Sequence, residues 1–209
     1  SGCDLIFPHH ENEIAIAMAL TNQPLARTWV HSELILVDGK KMSRSAGNVV
    51  TLRDLMKKGF TGRQVRFFLL RTHYRKPIHF SYDYLEESAR ALKRFDYFVS
   101  EVQAFTMDKV PAGEPNPNTI KALETMKNAF NLAVNDDLNT SKAVGTIFRL
   151  IRYVNRLIAA RKLSSLDAQN VMDTLQDVDK VLGCLDISIP KSELSEKIQD
   201  LITHREEAR

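Results

Sequence analysis

Apolar positions recur along this chain with a helical rhythm over most of its length. In residues 82–105, Leu85, Ala89, Leu92, Phe95, Phe98 and Val102 fall at three- and four-residue steps, which puts them on one face of a long helix that Ser81 can cap. Residues 140–162 repeat the pattern with Ala143, Ile147, Leu150, Ile151, Val154 and Leu157. Further helices are expected over residues 119–132 and 165–182, the second stopped by Gly183. A last one follows Pro190, with Ser192 as its cap. The connections are short, so these helices should pack as an antiparallel bundle. PAGEPNPN, residues 111–118, is the one clear linker.

The first part of the chain has a different grain. Asp4, Leu5, Ile6 and Phe7 read as the end of a buried strand halted by Pro8. HHENEIAIAMAL then reads as a helix, with Ile14, Met18 and Leu20 as its apolar positions. Residues 28–37, TWVHSELILV, alternate partly and predict a strand. A polar loop, DGKKMSRSAGN, follows over residues 38–48. Thr51 can cap a short helix closed by Gly59, and Thr61 with Gln64 makes a capping box for the next one, with Val65, Phe68 and Leu69 as its stripe. Residues 74–80 read as a loop or short extended piece broken by Pro77. Helix, strand and loop in this order belong to an open α/β sheet, where sites gather at the carboxyl ends of strands. The expected fold class is therefore α/β followed by all-α.

Composition narrows the picture. With 209 residues, 44% hydrophobic and 26% charged, the chain is an ordinary globular polypeptide. No run approaches the ~20 apolar residues of a membrane span, and no signal peptide is visible. Opening on an apolar run without Met suggests a piece of a longer polypeptide. Two distant cysteines, Cys3 and Cys184, give no disulfide framework and suit a reducing compartment. The net charge is only +3, but residues 53–94 carry eleven Lys/Arg against four Asp/Glu. Such an excess fits a polyanionic partner, and equally a solvated helix face.

Two stretches could carry chemistry. Residues 38–48 offer hydroxyls, small residues and the cations of Lys40, Lys41 and Arg44, which suits a polyphosphate; a solvated turn would look the same. His9 and Glu13 are four apart and would share a helix face, as two zinc ligands or as a hydrogen-bonded pair at a helix N-terminus. Trp29 and His31 face one way in the expected strand, by default as a core Trp with a satisfied His. His73, Tyr74, Arg75 and Lys76 form a basic loop with an aromatic. Asp136 and Asp137 precede Asn139 and Thr140, so helix capping explains them better than acid–base work. There is no P-loop and no dinucleotide fingerprint.

KMSRS at residues 41–45, followed by AGN, resembles the KMSKS signature of class I aminoacyl-tRNA synthetases. Together with DLIFPHHENEIA, a Trp, VHS, VRFFLLRTHYRKPIHFS and DDLNTSKAV, it resembles the cysteinyl-tRNA synthetase family in particular. The resemblance implies ATP-dependent activation of L-cysteine to cysteinyl adenylate and transfer to tRNA(Cys). Lys41 and Arg44 would be the catalytic cations, and Ser43 and Ser45 would join them at the ATP triphosphate with Mg²⁺. The family's second lysine is here Arg44, which keeps the charge but replaces a point cation with a planar fork. His9 and Glu13 match two ligands of the family's zinc, a soft metal that prefers the substrate thiol to a hydroxyl. The family's cysteine ligands fall upstream, and Cys3 matches neither.

The family's HIGH motif has no counterpart here, and its Gly-Gly before the Asp is replaced by Ser1, Gly2 and Cys3. The implied organisation is the C-terminal part of a Rossmann-like catalytic domain over residues 1–50, a stem-contact fold over 51–110, and an anticodon-binding-like bundle of the DALR type over 111–209. The chain alone is expected to be inactive and the loop open, and the protein to be a cytoplasmic monomer with no membrane association. Two alternatives are the related cysteine ligase of mycothiol synthesis and a non-catalytic tRNA-binding module.

Overall fold

The computed structural model describes residues 1–107 and 114–187. The helix expected after Ser192 and part of the 111–118 linker lie outside these residues. Seven helices and a small three-stranded sheet make up the described residues. They divide into two compact units: residues 1–90 with 129–146, and residues 91–128 with 147 onwards.

In the first unit, Cys3–Leu5 forms a 3-10 turn and Ile6–His10 a wider π-type turn in which Phe7 alone is extended. The strand expected across Asp4 to Phe7 is therefore corrected. The segment closes on itself instead, with the Leu5 N–H donating to the Gly2 carbonyl. The backbone pairs at one point only, a parallel bridge between Gly2 and Ser32. Helix α1 (Glu11–Thr21) follows and ends at Asn22 in the left-handed region. It has no buried residue; Ile16, Met18 and Leu20 are all exposed.

The strand expected over residues 28–37 shrinks to β1 (Ile35–Val37). It pairs antiparallel with β2 (Lys40–Lys41) and parallel with β3 (Ile78–Phe80). Helix α2 (Leu52–Lys57) starts at a capping box, with Thr51 accepting from the Asp54 N–H and Asp54 from that of Thr51. Helix α3 (Gly62–Leu70) starts at the expected box of Thr61 and Gln64. Leu55, Phe68, Phe80 and Leu85 form a buried cluster, flanked by Ile35, Val37, Val65 and Ile78. The expected α3 stripe is corrected at two places: Phe67 is buried, and Leu69 is exposed.

Helix α4 (Tyr82–Met107) gives residues 82–90 to the first unit and the rest to the second. Its stripe is buried as expected, with Leu85, Leu92, Phe95, Phe98 and Val102 all at 2% exposure or less. Helices α5 (Pro117–Asn135), α6 (Thr140–Ala159) and α7 (Ser165–Leu182) complete the described residues. Ala143, Ile147, Leu150, Ile151 and Val154 of α6 are buried. Ser164 and Asp167 box the start of α7, and Gly183, at φ 59, ends it.

Candidate functional site

The basic loop starts from a hairpin whose geometry the sequence sets. Asp38 (φ 51) and Gly39 (φ 74) both lie in the left-handed region, as a two-residue turn matching the twist of antiparallel strands requires. Register follows: Val37 faces Lys40 and Leu36 faces Lys41. Successive side chains of a strand point to opposite sides, so the two lysines diverge. Lys41 reaches Asp4, with Nζ 2.5 Å from the carboxylate. The hydrogen bond from Lys41 holds the Asp4 carboxyl below the usual carboxylate range, and nearby His9 adds to the effect.

After Lys41 the chain closes on itself. The Met42 N–H donates to the Ile35 carbonyl. Asn48 works as a strut: its Oδ1 accepts from the Ser43 N–H at 2.9 Å, and its Nδ2 donates to the Lys41 carbonyl at 3.1 Å. Ser43 Oγ accepts from the Ala46 N–H and lies 3.2 Å from Ser45 Oγ. The Gly47 N–H donates to the Arg44 carbonyl, and Gly47 sits at φ 67, where a side chain would be strained. Arg44 and Ser45 are exposed. Most of the loop is exposed, with Met42, Ser43 and Asn48 half-buried, and it is internally hydrogen-bonded. Lys41 ends strand β2, Ser43 follows it, and Arg44 and Ser45 open the turn that runs to Gly47. The signal for Asn48 in the sequence is its type and place, since an Asn after Ala-Gly readily bonds backbone in turns.

His9 and Glu13, the sequence-based metal candidates, are both exposed. Among the described residues, no three His, Cys, Asp or Glu side chains gather to hold a metal ion. Imidazole and carboxylate suit zinc chemically, but two donors do not close its shell, so the described residues alone do not fit a zinc site. The buried histidine is its neighbour His10, 8% exposed. Its Nδ1 lies 2.8 Å from His31 Nε2, and its Nε2 lies 3.3 Å from Ser1 Oγ. Trp29 stacks on His31 with ring centroids 6.0 Å apart and lies 4.9 Å from the His10 ring. Trp29 and His31 do share a side, as their spacing predicted. What they meet there is the second His of HHENE, which sequence spacing could not reveal.

The basic segment after α3 is tied down rather than free. Asp137 accepts from Arg75 Nε at 2.5 Å and from the Tyr74 hydroxyl at 2.5 Å, with His73 at 4.0 Å. This corrects the capping reading of Asp137: the cap of α6 is Asn139, whose Oδ1 accepts from the Lys142 N–H. The Tyr74 carbonyl in turn accepts from the Glu33 N–H, just before β1. Arg75 first, then Tyr74, hold the Asp137 carboxyl below its usual range. A carboxyl depressed on folding stabilises above its unfolded pKa, about 4, and that stability is lost as pH falls through the folded value. Asp137→Asn should therefore flatten the decline of the urea midpoint below about pH 4. An unchanged acid limb would assign that decline to other carboxyls.

Residues 1–90 match the family model described as the tRNA synthetases class I (C) catalytic domain, and residues 129–186 match the DALR domain. A cysteine–tRNA ligase of Chlamydia pneumoniae is 42% identical over 208 residues, a match that takes in 100% of this chain and 43% of that protein. Cysteine–tRNA ligases of Chlamydia muridarum and Brevibacillus brevis are 39% and 36% identical, over 100% of this chain and 44% of each of those proteins. The chain thus spans less than half the length of these relatives.

Proposed function

Because residues 1–90 belong to the class I (C) tRNA synthetase catalytic-domain family and residues 129–186 to the DALR family, we propose that this chain is part of a cysteine–tRNA ligase. The whole protein would activate L-cysteine with ATP and transfer it to tRNA(Cys). The observation that carries this is the Asp38–Gly39 hairpin, which presents Lys41 at the mouth of a loop rich in N–H and O–H groups. In such a loop, Lys41 and Arg44 would neutralise charge developing on the departing pyrophosphate, and Ser43 and Ser45 would donate to phosphate oxygens. Mg²⁺ would enter with ATP, as part of the substrate.

In this reading residues 1–50 serve as the C-terminal part of the nucleotide-binding domain, residues 51–110 as a stem-contact region, and the sequence from 111 onward as the tRNA-binding part. The Lys/Arg excess of residues 53–94 supports contact with a phosphate backbone. Zinc belongs to this proposal only as a shared site: His9 and Glu13 would give two donors, with the others supplied from outside these residues. When bound, the metal would distinguish a thiol from a hydroxyl. The exposed apolar side chains of α1 support a further part of the polypeptide packing there. No described helix is long and apolar enough to cross a membrane.

The test is cysteine-dependent ATP–pyrophosphate exchange and tRNA charging. A full-length protein containing this chain should do both, and the 209-residue chain neither. Exchange by the isolated chain would show that the divided site is wrong. Ligation of cysteine to an amino sugar, without tRNA charging, would replace the ligase assignment.

A further inference from the structure

The loop lysine is not presented to solvent alone. Asp4 stands opposite it on a separately built support. Ser32 donates its N–H to the Ser1 carbonyl, and its own carbonyl accepts from the Cys3 N–H, both at 2.8 Å. This fastens the Cys3–Leu5 turn to the segment that becomes β1. Gly2 lets the carboxylate fold back over the backbone: a Cβ there would lie 2.4 Å from Asp4 Oδ1 and 3.7 Å from Leu34. The hairpin from β1 then brings Lys41 to the same carboxylate. The side chains are 51% and 37% exposed, so the pair is formed but open to competing anions.

We propose that Asp4 is a positioning residue for Lys41, competing with phosphate oxygens for its ammonium and setting how tightly the KMSRS loop holds a phosphate chain. This rests on the phosphate role given to the loop above. An ammonium has three donors, so carboxylate and phosphate can both touch it. The carboxylate nevertheless neutralises the charge that phosphate would use. Asp4 thereby keeps Lys41 aimed while weakening its hold on pyrophosphate, which favours release of that product.

The probe is inorganic pyrophosphate, titrated calorimetrically into the 209-residue chain at one low ionic strength. Asp4→Asn should tighten binding roughly two- to five-fold, the scale of one exposed ion pair. Asp4→Glu should bring it back towards the parent value. Lys41→Ala should weaken binding, and in that background Asp4→Asn should change nothing, because the effect runs through the ammonium. Equal tightening with and without Lys41 would reduce Asp4 to general repulsion and overturn the proposal. Lys41-dependent binding that Asp4→Asn leaves unchanged or weakens would also overturn it, while leaving the phosphate role intact. Absence of pyrophosphate binding both in the 209-residue chain and in a full-length protein containing it would overturn both readings.

Discussion

If the proposed function holds, replacing Lys41 with Ala in a full-length protein containing this chain should lower cysteine-dependent ATP–pyrophosphate exchange by roughly 100- to 1,000-fold, the cost of removing one preorganised group that stabilises developing charge. Three features make the effect large. Lys41 is fixed by strand register rather than carried on a free loop, since Leu36 holds it opposite in β1. Lys40 points to the other side of the ribbon and cannot replace it. Arg44 lies beyond the Ser43–Asn48 contact, on the exposed turn. The loss should fall on kcat more than on the KM for cysteine, because the interaction grows as charge moves to the leaving group. Lys41→Arg should recover part of the rate, as charge is kept while geometry changes. A Lys41→Ala enzyme with near-parental exchange would remove the residue from the chemistry.

The helices were legible because their signals are local. Thr61 and Gln64 announce a capping box within four residues, and the structure forms it. The stripe of α4 needs only a 3.6-residue period, and every strongly apolar position on it is buried. The failures share one cause: each depended on what stands opposite in space. Asp4 to Phe7 had strand composition but no neighbouring strand along its length, so a single bridge to Ser32 formed and the chain turned. Phe67 and Leu69 are both helical and apolar, and only the packing decides that Phe67 is the one covered.

The candidate site divides the same way. The loop's hydroxyls, small residues and cations were visible in its residue types. That Lys41 lies on a strand, tied to a carboxylate 37 positions earlier, was not. The partnership of His10 with His31 spans 21 residues, and that of Arg75 with Asp137 spans 62. Pairs this distant carry no sequence spacing rule, whereas i, i+3 and i, i+4 pairs do.

The largest expected loss of stability comes from the second unit. Phe95→Ala should cost about 3–5 kcal/mol, the range for emptying a buried aromatic site. Phe95 is 1% exposed, and its ring centroid lies 6.5 Å from that of Phe98, itself 2% exposed. Both sit on the face of α4 that also carries Leu92, Val99 and Val102, each fully or almost fully buried. Truncation removes the ring's transfer energy and leaves a void that a rigid helix cannot close. Tyr97, two residues on, is the control. It is 62% exposed, with the Lys93 ammonium 5.8 Å from its ring centroid. Tyr97→Ala should therefore stay within about 1 kcal/mol. Urea unfolding followed by far-ultraviolet circular dichroism separates the two. A domain holds only about 5–15 kcal/mol in total, so Phe95→Ala should move the midpoint by a large fraction of its value while Tyr97→Ala barely shifts it. Equal shifts would mean that the α4 stripe does not anchor this unit. A normal midpoint with a changed slope would place the effect in the unfolded chain instead.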